Sequence, residues 1–434
     1  MKSIRLLLSC LSLASIVGAS QSASAADAAQ PLRPAVECTV RGGLPNVLAK
    51  LKAGKEVRVG YLGGSITAAP GWRVKSLKWL QEQYPAAKLS EINAAIGGTG
   101  SDLGVFRAQH DVLQFKPDLL FVEFAVNDGG TGPEQIQRCM EGIVRQTWRV
   151  DSTTDICFVY TLSLPYLADL KAGNDSRSAT AMEAVADHYQ IPSIHLAIEV
   201  ARMENEGKLI FKADKPKEPQ RPGAPMIFSE DGVHPLVDTG HELYLQAIQR
   251  SWPKLEAAGV GARPHELIAP LRADNWEEAK MVPITQEMLR GDWKALDLAK
   301  DDLAKRFASR LPGLWKAAAP GASLEVDIDG TQASVYDLLG PDCGQIEVKL
   351  DEQPARKLAR FDPYCTSHRL GKAVVLSDAP KGRHHLRLTL LADPPDKAKI
   401  LFEKNRPDLE KNPAKYAGND WYAGALLILG DVVK

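Results

Sequence analysis

Apolar residues follow two alternating periodicities in the first half of the chain. Short apolar runs predict buried β-strands, and the longer segments between them carry apolar residues at helical spacing. The predicted strands are 56–62, 88–93, 118–125, 155–161 and 192–195, and the predicted helices are 72–84, 102–114, 133–149, 178–189 and 238–252. Strands that alternate with helices form right-handed crossovers and a parallel sheet covered on both faces. We therefore predict a flavodoxin-like three-layer α/β/α sandwich over residues 36–265.

The pattern changes after about residue 265. A charged segment through 284–315 reads as helical, so we predict a helical connector over 266–320. Short apolar runs separated by turn residues follow, at 323–328, 332–338, 345–350, 373–377, 384–391 and 424–430. Short strands at this spacing are typical of an antiparallel β-sandwich. We predict such a domain over 321–434.

The N-terminus has the pattern of a secretory signal. Lys2 and Arg5 accompany an apolar stretch from Ile4 to Val17, and the small residues Ala23–Ala25 supply a cleavage site. Residues 1–25 are therefore expected to be a signal peptide, which places the mature protein in the periplasm or outside the cell. The apolar stretch is too short to span a bilayer, and no later stretch approaches the required length.

Composition gives no reason to expect a nucleic acid or a membrane surface as a partner. The chain has 53 basic and 54 acidic side chains, which gives a formal net charge of -1. Charged residues make up 25% and hydrophobic residues 44% of the chain, as in ordinary globular proteins. Neither composition nor any motif indicates the oligomeric state.

The cysteines indicate no metal or redox site. Five remain after the signal: Cys38, Cys139, Cys157, Cys343 and Cys365. None has the paired spacing of a zinc or redox motif, so no metal and no other cofactor is expected. An odd number leaves at least one thiol unpaired in an oxidising compartment. Cys343 and Cys365 flank one predicted strand pair, and we expect them to form a disulfide.

A serine and a histidine carry the candidate chemistry. Ser65 stands in the sequence Gly-Gly-Ser-Ile-Thr directly after the first predicted strand, and Asp231 and His234 share one short loop far downstream. A serine hydroxyl needs an imidazole to accept its proton and a carboxylate to orient that imidazole. Glycines before Ser65 allow the sharp turn that exposes its hydroxyl. These three residues predict a serine hydrolase.

Two further blocks fall between them in the chain. Asn93–Gly100 contains three glycines after the second strand, and Phe121–Asp128 ends the third strand with Asn-Asp. The four ordered blocks, over about residues 55–252, resemble the SGNH (GDSL-type) hydrolase family. The resemblance implies Ser65 as nucleophile, Asp231 and His234 as its partners, and an oxyanion hole formed by Ser65, Gly98 and Asn127. A turn glycine and a turn asparagine are the competing interpretations of the last two.

Two positions depart from the family pattern. Gly64 replaces a common aspartate, and Ala125 replaces a common glycine. Neither departure removes a group that the chemistry uses. The Gly-Gly-Ser-Ile-Thr form resembles the branch of the family that is rich in carbohydrate esterases. Asp128 is interpreted as ordering its loop or capping the next helix.

The expected function is therefore a secreted esterase that removes O-acetyl groups from a polysaccharide or oligosaccharide. The alternatives are a carbohydrate O-acyltransferase with the same triad, a short-chain lipase or thioesterase, and a non-catalytic glycan-binding protein. The C-terminal domain is similar to accessory sandwich domains of secreted carbohydrate esterases. Aromatic residues such as Tyr364, Trp421 or Tyr422 would bind glycan if exposed, although aromatics in a small sandwich more often belong to the core.

Overall fold

The N-terminal half is built on one six-stranded sheet. The computed structural model describes residues 31–215, 223–259 and 261–433, so the expected signal peptide lies outside the described residues. The strands are β1 (Cys38–Thr39), β2 (Glu56–Gly63), β3 (Lys88–Asn93), β4 (Leu119–Glu123), β5 (Asp155–Tyr160) and β6 (Ser193–His195). Their spatial order is β1-β6-β5-β4-β2-β3. All pairings are parallel except that of β1 with β6.

Nine α-helices belong to this half among the described residues. They are α1 (Pro45–Lys52), α2 (Ser65–Ala68), α3 (Trp72–Gln83), α4 (Ser101–Asp111), α5 (Pro133–Val150), α6 (Leu167–Lys171), α7 (Arg177–Tyr189), α8 (Ile198–Asn205) and α9 (Gly240–Glu256). Single 3₁₀ turns occur at Leu113–Phe115 and Leu164–Tyr166. None of the helices within the described residues is long and apolar enough to cross a membrane.

Successive strand residues point to opposite faces, and this alternation produces the three layers. Tyr61 and Phe121 pack into the core under α1, α3, α8 and α9. Their neighbours Leu62 and Val122 pack into the core under α4, α5 and α7. Since both faces are covered, the central strands β4 and β5 are apolar at nearly every position. The predicted three-layer α/β/α fold is thereby confirmed.

The C-terminal half is an antiparallel β domain. Its sheet contains β9 (Ala279–Pro283), β10 (Leu289–Arg290), β11 (Trp293–Ala295), β12 (Trp315–Ala317), β13 (Ser323–Leu339), β14 (Gln345–Leu350), β15 (Arg356–Ala359), β16 (Arg369–Leu376), β17 (Gly382–Leu390) and β18 (Trp421–Val433). The helices are α10 (Asp302–Phe307), α11 (Lys397–Ile400), α12 (Arg406–Lys411) and α13 (Pro413–Tyr416), with 3₁₀ turns at Gln286–Met288 and Glu403–Asn405. The predicted second, antiparallel β domain is thus present.

The longest strand, β13, differs from the prediction. The sequence indicated two strands separated by a turn at Asp329-Gly330, whereas the chain continues through this point as a bulge. Gly330 lies against the backbone of Leu429 and Gly430, too close for a Cβ atom. Two glycines facing each other therefore let a strand pair pass where a turn was expected.

The helical connector expected over 266–320 is wrong in its secondary structure. This segment contains β9, β10, β11 and β12, and α10 is its one α-helix. These segments are strands because they find partners: β9 and β12 pair with β18, and β10 pairs with β13. Short polar strands of this kind gain their stability from partners that are remote in sequence. Their own charged residues resemble those of an exposed helix.

The two halves share one hydrophobic core. Tyr336 and Leu338 of β13 and Leu427 of β18 belong to the same buried cluster as Phe106 of α4 and Ile143 of α5. The opposite face of the β domain forms its own core, which includes Trp421. Trp421 and Tyr422 are both buried, as expected for core aromatics, so neither is an exposed glycan binder. Tyr364 is exposed.

The expected disulfide between Cys343 and Cys365 is not formed. All five cysteines of the described residues are free thiols. Cys343 Sγ lies 3.6 Å from the carbonyl oxygen of Leu338, and Cys365 Sγ accepts a hydrogen bond from the backbone N–H of Asp362 at 3.2 Å. The two thiols therefore have different partners, although both are buried.

A buried ion pair supports the β domain and generates a stability prediction. Arg360 donates to both carboxylate oxygens of Asp337, at 2.5 and 2.6 Å, and Trp421 Nε1 donates to the same group at 3.1 Å. Arg360→Ala leaves a buried carboxylate without its cation, so we expect the free energy of unfolding to fall by about 3–5 kcal/mol in urea titration. Arg383→Ala, which breaks an exposed pair with Asp327 at 2.7 Å, is the control and should change it by less than about 1 kcal/mol. Similar small losses in both variants would contradict a structural role for the buried pair.

Candidate active site

Ser65 lies where the first long strand ends. Strand β2 finishes at Gly63, and α2 begins at Ser65, so the side chain stands at the carboxyl edge of the parallel sheet. Ligands of open α/β sheets bind at this edge. The turn has no room for a side chain at residue 64, because a Cβ there would collide with Oδ1 of Asn127. The glycine that replaces the family's common aspartate is thus packed directly against a second predicted site residue.

His234 reaches Ser65 from the other end of the domain. Its Nε2 lies 2.8 Å from Oγ of Ser65, and its Nδ1 lies 2.6 Å from Oδ2 of Asp231. With the Nδ1 proton directed at the carboxylate, Nε2 is the basic nitrogen that faces the hydroxyl. The structure therefore brings all three predicted triad residues into one hydrogen-bonded chain. The side chains of His234 and Asp231 are 49% and 54% exposed, so both groups are accessible from solution.

The loop that carries Asp231 and His234 is fixed by its own hydrogen bonds. It follows β8 (Met226–Ser229), which pairs in parallel with β7 (Leu209–Lys212). Oδ1 of Asp231 accepts from the backbone N–H groups of Val233 and His234, each at 2.8 Å, and from the Ser229 hydroxyl at 3.0 Å. Partial burial alone would raise the pKa of Asp231, but these bonds and the one from the His234 side chain lower it below its usual range. Asp231 is therefore an ionised carboxylate at neutral pH.

The predicted oxyanion groups lie beside the serine. Gly97 faces Cβ of Ser65, and Gly98 follows with a φ of 72° and open space on its Cα. This backbone conformation favours glycine. The Asn127 side chain, packed on Gly64, makes no hydrogen bond to another described residue, which leaves its amide free to donate to a ligand. The Gly97-Gly98 turn and the Asn127 side chain thus both lie next to the Gly64-Ser65 turn.

Asp128, next to Asn127, holds the glycine loop. Its Oδ1 accepts from the backbone N–H of Ser101 at 2.9 Å, at the start of α4. Burial raises the pKa of Asp128 to about 7, and the hydrogen bonds from Ser101 only partly offset that effect. This contact agrees with the interpretation of Asp128 as a residue that orders its loop.

Glu123 is a buried carboxylate that the sequence analysis did not single out. It ends β4 and accepts from Oγ1 of Thr67 at 2.8 Å and from Oγ1 of Thr161 at 2.7 Å. Its burial raises its pKa, against the hydrogen bonds from Thr161, Thr67 and the backbone of Gly64. Glu123 thereby ties the Gly64–Thr67 turn to the neighbouring strands. The signal was a single charged residue inside the apolar run Phe121–Ala125.

Two other features of the described residues are separate from this site. A cavity of about 600 Å³ lies between the domains and is lined by residues such as Arg138, Trp276 and Asp329, with none of the predicted site residues. Asp342, Cys343 and His368 of the β domain are close enough together to hold a metal ion. Here His368 Nε2 lies 2.6 Å from Oδ1 of Asp342, which is a hydrogen bond. His368 is 25 residues from Cys343 in sequence, so no motif predicted this group.

Comparison with known proteins agrees with this geometry. Residues 61–242 match the model of the GDSL-like lipase/acylhydrolase family. No curated protein sequence matches the chain. Among solved structures, a two-domain esterase active on acetylated mannans, co-crystallised with mannopentaose, superposes with a TM-score of 0.69 at 21% identity, covering 92% of this chain and 98% of that one. Another crystal structure of such an esterase gives a TM-score of 0.66 at 21% identity, over 89% and 94% of the two chains.

These neighbours show that both halves of the chain have the fold of a two-domain esterase. The family match covers the β2, β3 and β4 ends and the His234 loop, which are the segments that meet at Ser65. Residues 61–242 therefore form a GDSL-like lipase/acylhydrolase domain.

Proposed function

We propose that the protein is an exported carbohydrate esterase that removes O-acetyl groups from a polysaccharide through an acyl-enzyme. The observation that carries the proposal is the chain of contacts from Ser65 Oγ to His234 Nε2 at 2.8 Å and from His234 Nδ1 to Asp231 Oδ2 at 2.6 Å. Its exposed position at the sheet edge suits an ester on a polymer, which must reach the serine from solution.

The proposed reaction has two halves. Ser65 Oγ attacks the acetyl carbonyl carbon while His234 Nε2 takes the hydroxyl proton, and the carbonyl oxygen becomes an oxyanion. The N–H groups of Ser65 and Gly98 and the Asn127 amide donate to that oxygen. His234 then returns the proton to the departing sugar oxygen, which leaves an acetyl-serine. Water, deprotonated by His234, attacks this ester and releases acetate, and Ser65 recovers its proton.

Asp231 and Glu123 position the groups that react. The Asp231 carboxylate keeps the Nδ1 proton of His234 in place and stabilises the imidazolium that forms in each half. Glu123 holds the turn that carries Ser65, through Thr67 and the Gly64 backbone. Because these contacts exist before any substrate binds, the donors need little reorganisation as charge develops.

Two further observations support the substrate class and the compartment. The two-domain esterase with the same fold acts on acetylated mannans, and an acetylated β-linked polysaccharide is the substrate we propose here. The basic, apolar and small-residue pattern of residues 1–25 supports export, which would place the enzyme where such polysaccharides occur.

Replacement of Ser65 and replacement of His234 should lower the same activity to a similar extent. We expect Ser65→Ala and His234→Ala each to lower kcat on an aryl acetate by roughly 10⁴–10⁶, and the double variant to be hardly worse than either, because the two groups act as a unit. His385→Ala is a matched control, since His385 also lies 2.6 Å from an aspartate, Asp327, but on the β domain and without a serine. It should keep full activity. Additive losses in the double variant would contradict the shared mechanism.

The Asn127 amide should contribute mainly to the transition state. We expect Asn127→Ala to lower kcat by about 10²–10³ with little change in KM, because its hydrogen bond strengthens only as the oxyanion forms. Steady-state kinetics on an aryl acetate and the thermal unfolding midpoint should be measured together. Native turnover in this variant would remove Asn127 from the reaction.

The acyl group and the acceptor define the substrate experiment. Activity on aryl esters should fall steeply from acetyl to butyryl and reach background at octanoyl, because a site shaped for acetyl is overpacked by extra methylenes. Acetate should be released from acetylated mannan or acetylated xylan and not by Ser65→Ala. A preference for octanoyl esters, with no acetate from any glycan, would favour a lipase. Transfer of acetyl to an added sugar in place of acetate release would favour an acyltransferase.

A further inference from the structure

Two aromatic rings form an exposed patch on the β domain. Tyr364 is 57% exposed and Phe402 is 41% exposed. Their ring centroids are 4.9 Å apart and their planes are nearly perpendicular, at 83°. Among the described residues, the one other aromatic side chain of Phe, Tyr or Trp type with comparable exposure is Phe115, on the hydrolase domain. Clustered apolar side chains on a protein surface often mark a binding site.

Both rings are held in place by buried neighbours. Cys365 follows Tyr364 and Leu401 precedes Phe402, and these two residues are fully buried in one small cluster. The backbone of Tyr364 donates to Oδ1 of Asp362 at 2.9 Å, and Asn405 Nδ2 donates to the carbonyl of Pro363 at 2.9 Å. The two loops therefore present the rings in a fixed arrangement, which reduces the entropy lost on binding.

Polar groups surround the rings. The guanidinium of Arg369 lies 5.6 Å from the centre of the Tyr364 ring and pairs with Asp362. An aromatic face with hydrogen-bonding groups at its edge suits a sugar ring, whose C–H face carries partial positive charge and whose hydroxyls point outward. The patch exposes roughly 200 Å² of ring surface, judged from the size of aromatic side chains. That is far below the ~800 Å² per partner of a stable protein interface, and it matches one or two sugar units.

The patch and the hydrolase domain lie on opposite faces of the β domain's sheet. Tyr336 and Leu338 of β13 face the hydrolase domain, whereas Leu339, which pairs with Arg369, packs into the cluster beneath the patch. Successive residues of a strand face opposite sides, so the rings and the hydrolase domain lie on opposite faces of this part of the sheet. A glycan bound here would not occupy the catalytic centre.

We propose that Tyr364 and Phe402, with Arg369, form a polysaccharide-binding site that tethers the enzyme to its polymer. The proposal rests on the proposed function in its choice of ligand, a neutral β-linked glycan. A second contact on the same chain raises the local concentration of acetylated units at Ser65 without adding any catalytic group. Single esters too small to span both sites gain nothing from it.

The test separates binding from catalysis. Full-length Tyr364→Ala and Phe402→Ala should lose retardation in native gels that contain deacetylated mannan, glucomannan or xylan, and Tyr364→Phe, which keeps the ring, should retain it. Phe115→Ala, the exposed aromatic of the other domain, is the control. On acetylated polymer the two alanine variants should show a KM about tenfold higher at unchanged kcat. On an aryl acetate their kinetics should be unchanged.

Several results would overturn the binding site. It fails if no glycan in the panel retards the wild-type protein, if the alanine variants are retarded as strongly as wild type, or if Phe115→Ala has the same effect. A Tyr364→Ala variant that changes the molar mass in solution but not glycan binding would identify the patch as a contact between copies of the chain. Deacetylated glycans carry no ester, so the binding assay does not depend on esterase activity. If the wild-type protein releases no acetate in the earlier experiment, the proposed function is refuted, and the result of the binding assay still stands.

Discussion

The site depends on one buried guanidinium at the ends of two neighbouring strands. The side chain of Arg107 is fully buried and donates to the carbonyl of Ala94, just after β3, and to that of Gly63, the last residue of β2, at 3.3 Å. Ser65 follows Gly63 closely in the chain, and the Gly97-Gly98 turn follows Ala94. A buried charge requires a partner, and Asp111 supplies it at 2.8 Å from the next turn of α4. One ion pair thus links the turn that carries Ser65 to the turn that carries Gly97 and Gly98.

The C-terminal domain takes part in the same network. Arg310 donates to the carbonyl of Asn93 at 2.8 Å and lies 3.4 Å from Asp111. Lys372 of β16 pairs with Asp102, in the first turn of α4. Together with the shared apolar core, these contacts make the β domain a support for the strand ends as well as a separate surface. Removing it would expose the α4 and α5 faces and remove the contact of Arg310 with the end of β3.

The predicted site residues are held in place in two ways. Ser65 and Asn127 follow the buried ends of β2 and β4, and Gly98 follows the edge strand β3, so their positions come from the sheet itself. Asp231 and His234 instead stand on an exposed loop, and their geometry comes from hydrogen bonds within a few residues. This division explains how two groups about half exposed to water stay aligned on a serine 169 residues away in sequence.

Local pattern determined much of this protein. Apolar runs located β2 to β6 and five of the helices, most clearly β4 and β5, because strands buried on both faces are apolar at nearly every position. Motif chemistry predicted that Ser65, Asp231 and His234 lie together, because a serine is commonly activated by a histidine that a carboxylate orients. The tertiary structure alone decided the rest. The strands β9 to β12 depend on edges supplied by β13 and β18, and Arg107, Glu123 and Arg310 act through contacts between residues far apart in the chain. Such pairings leave no periodicity or spacing in the sequence. The role of a buried charge or a short edge strand depends on the residues that pack against it, and these are distant in the chain.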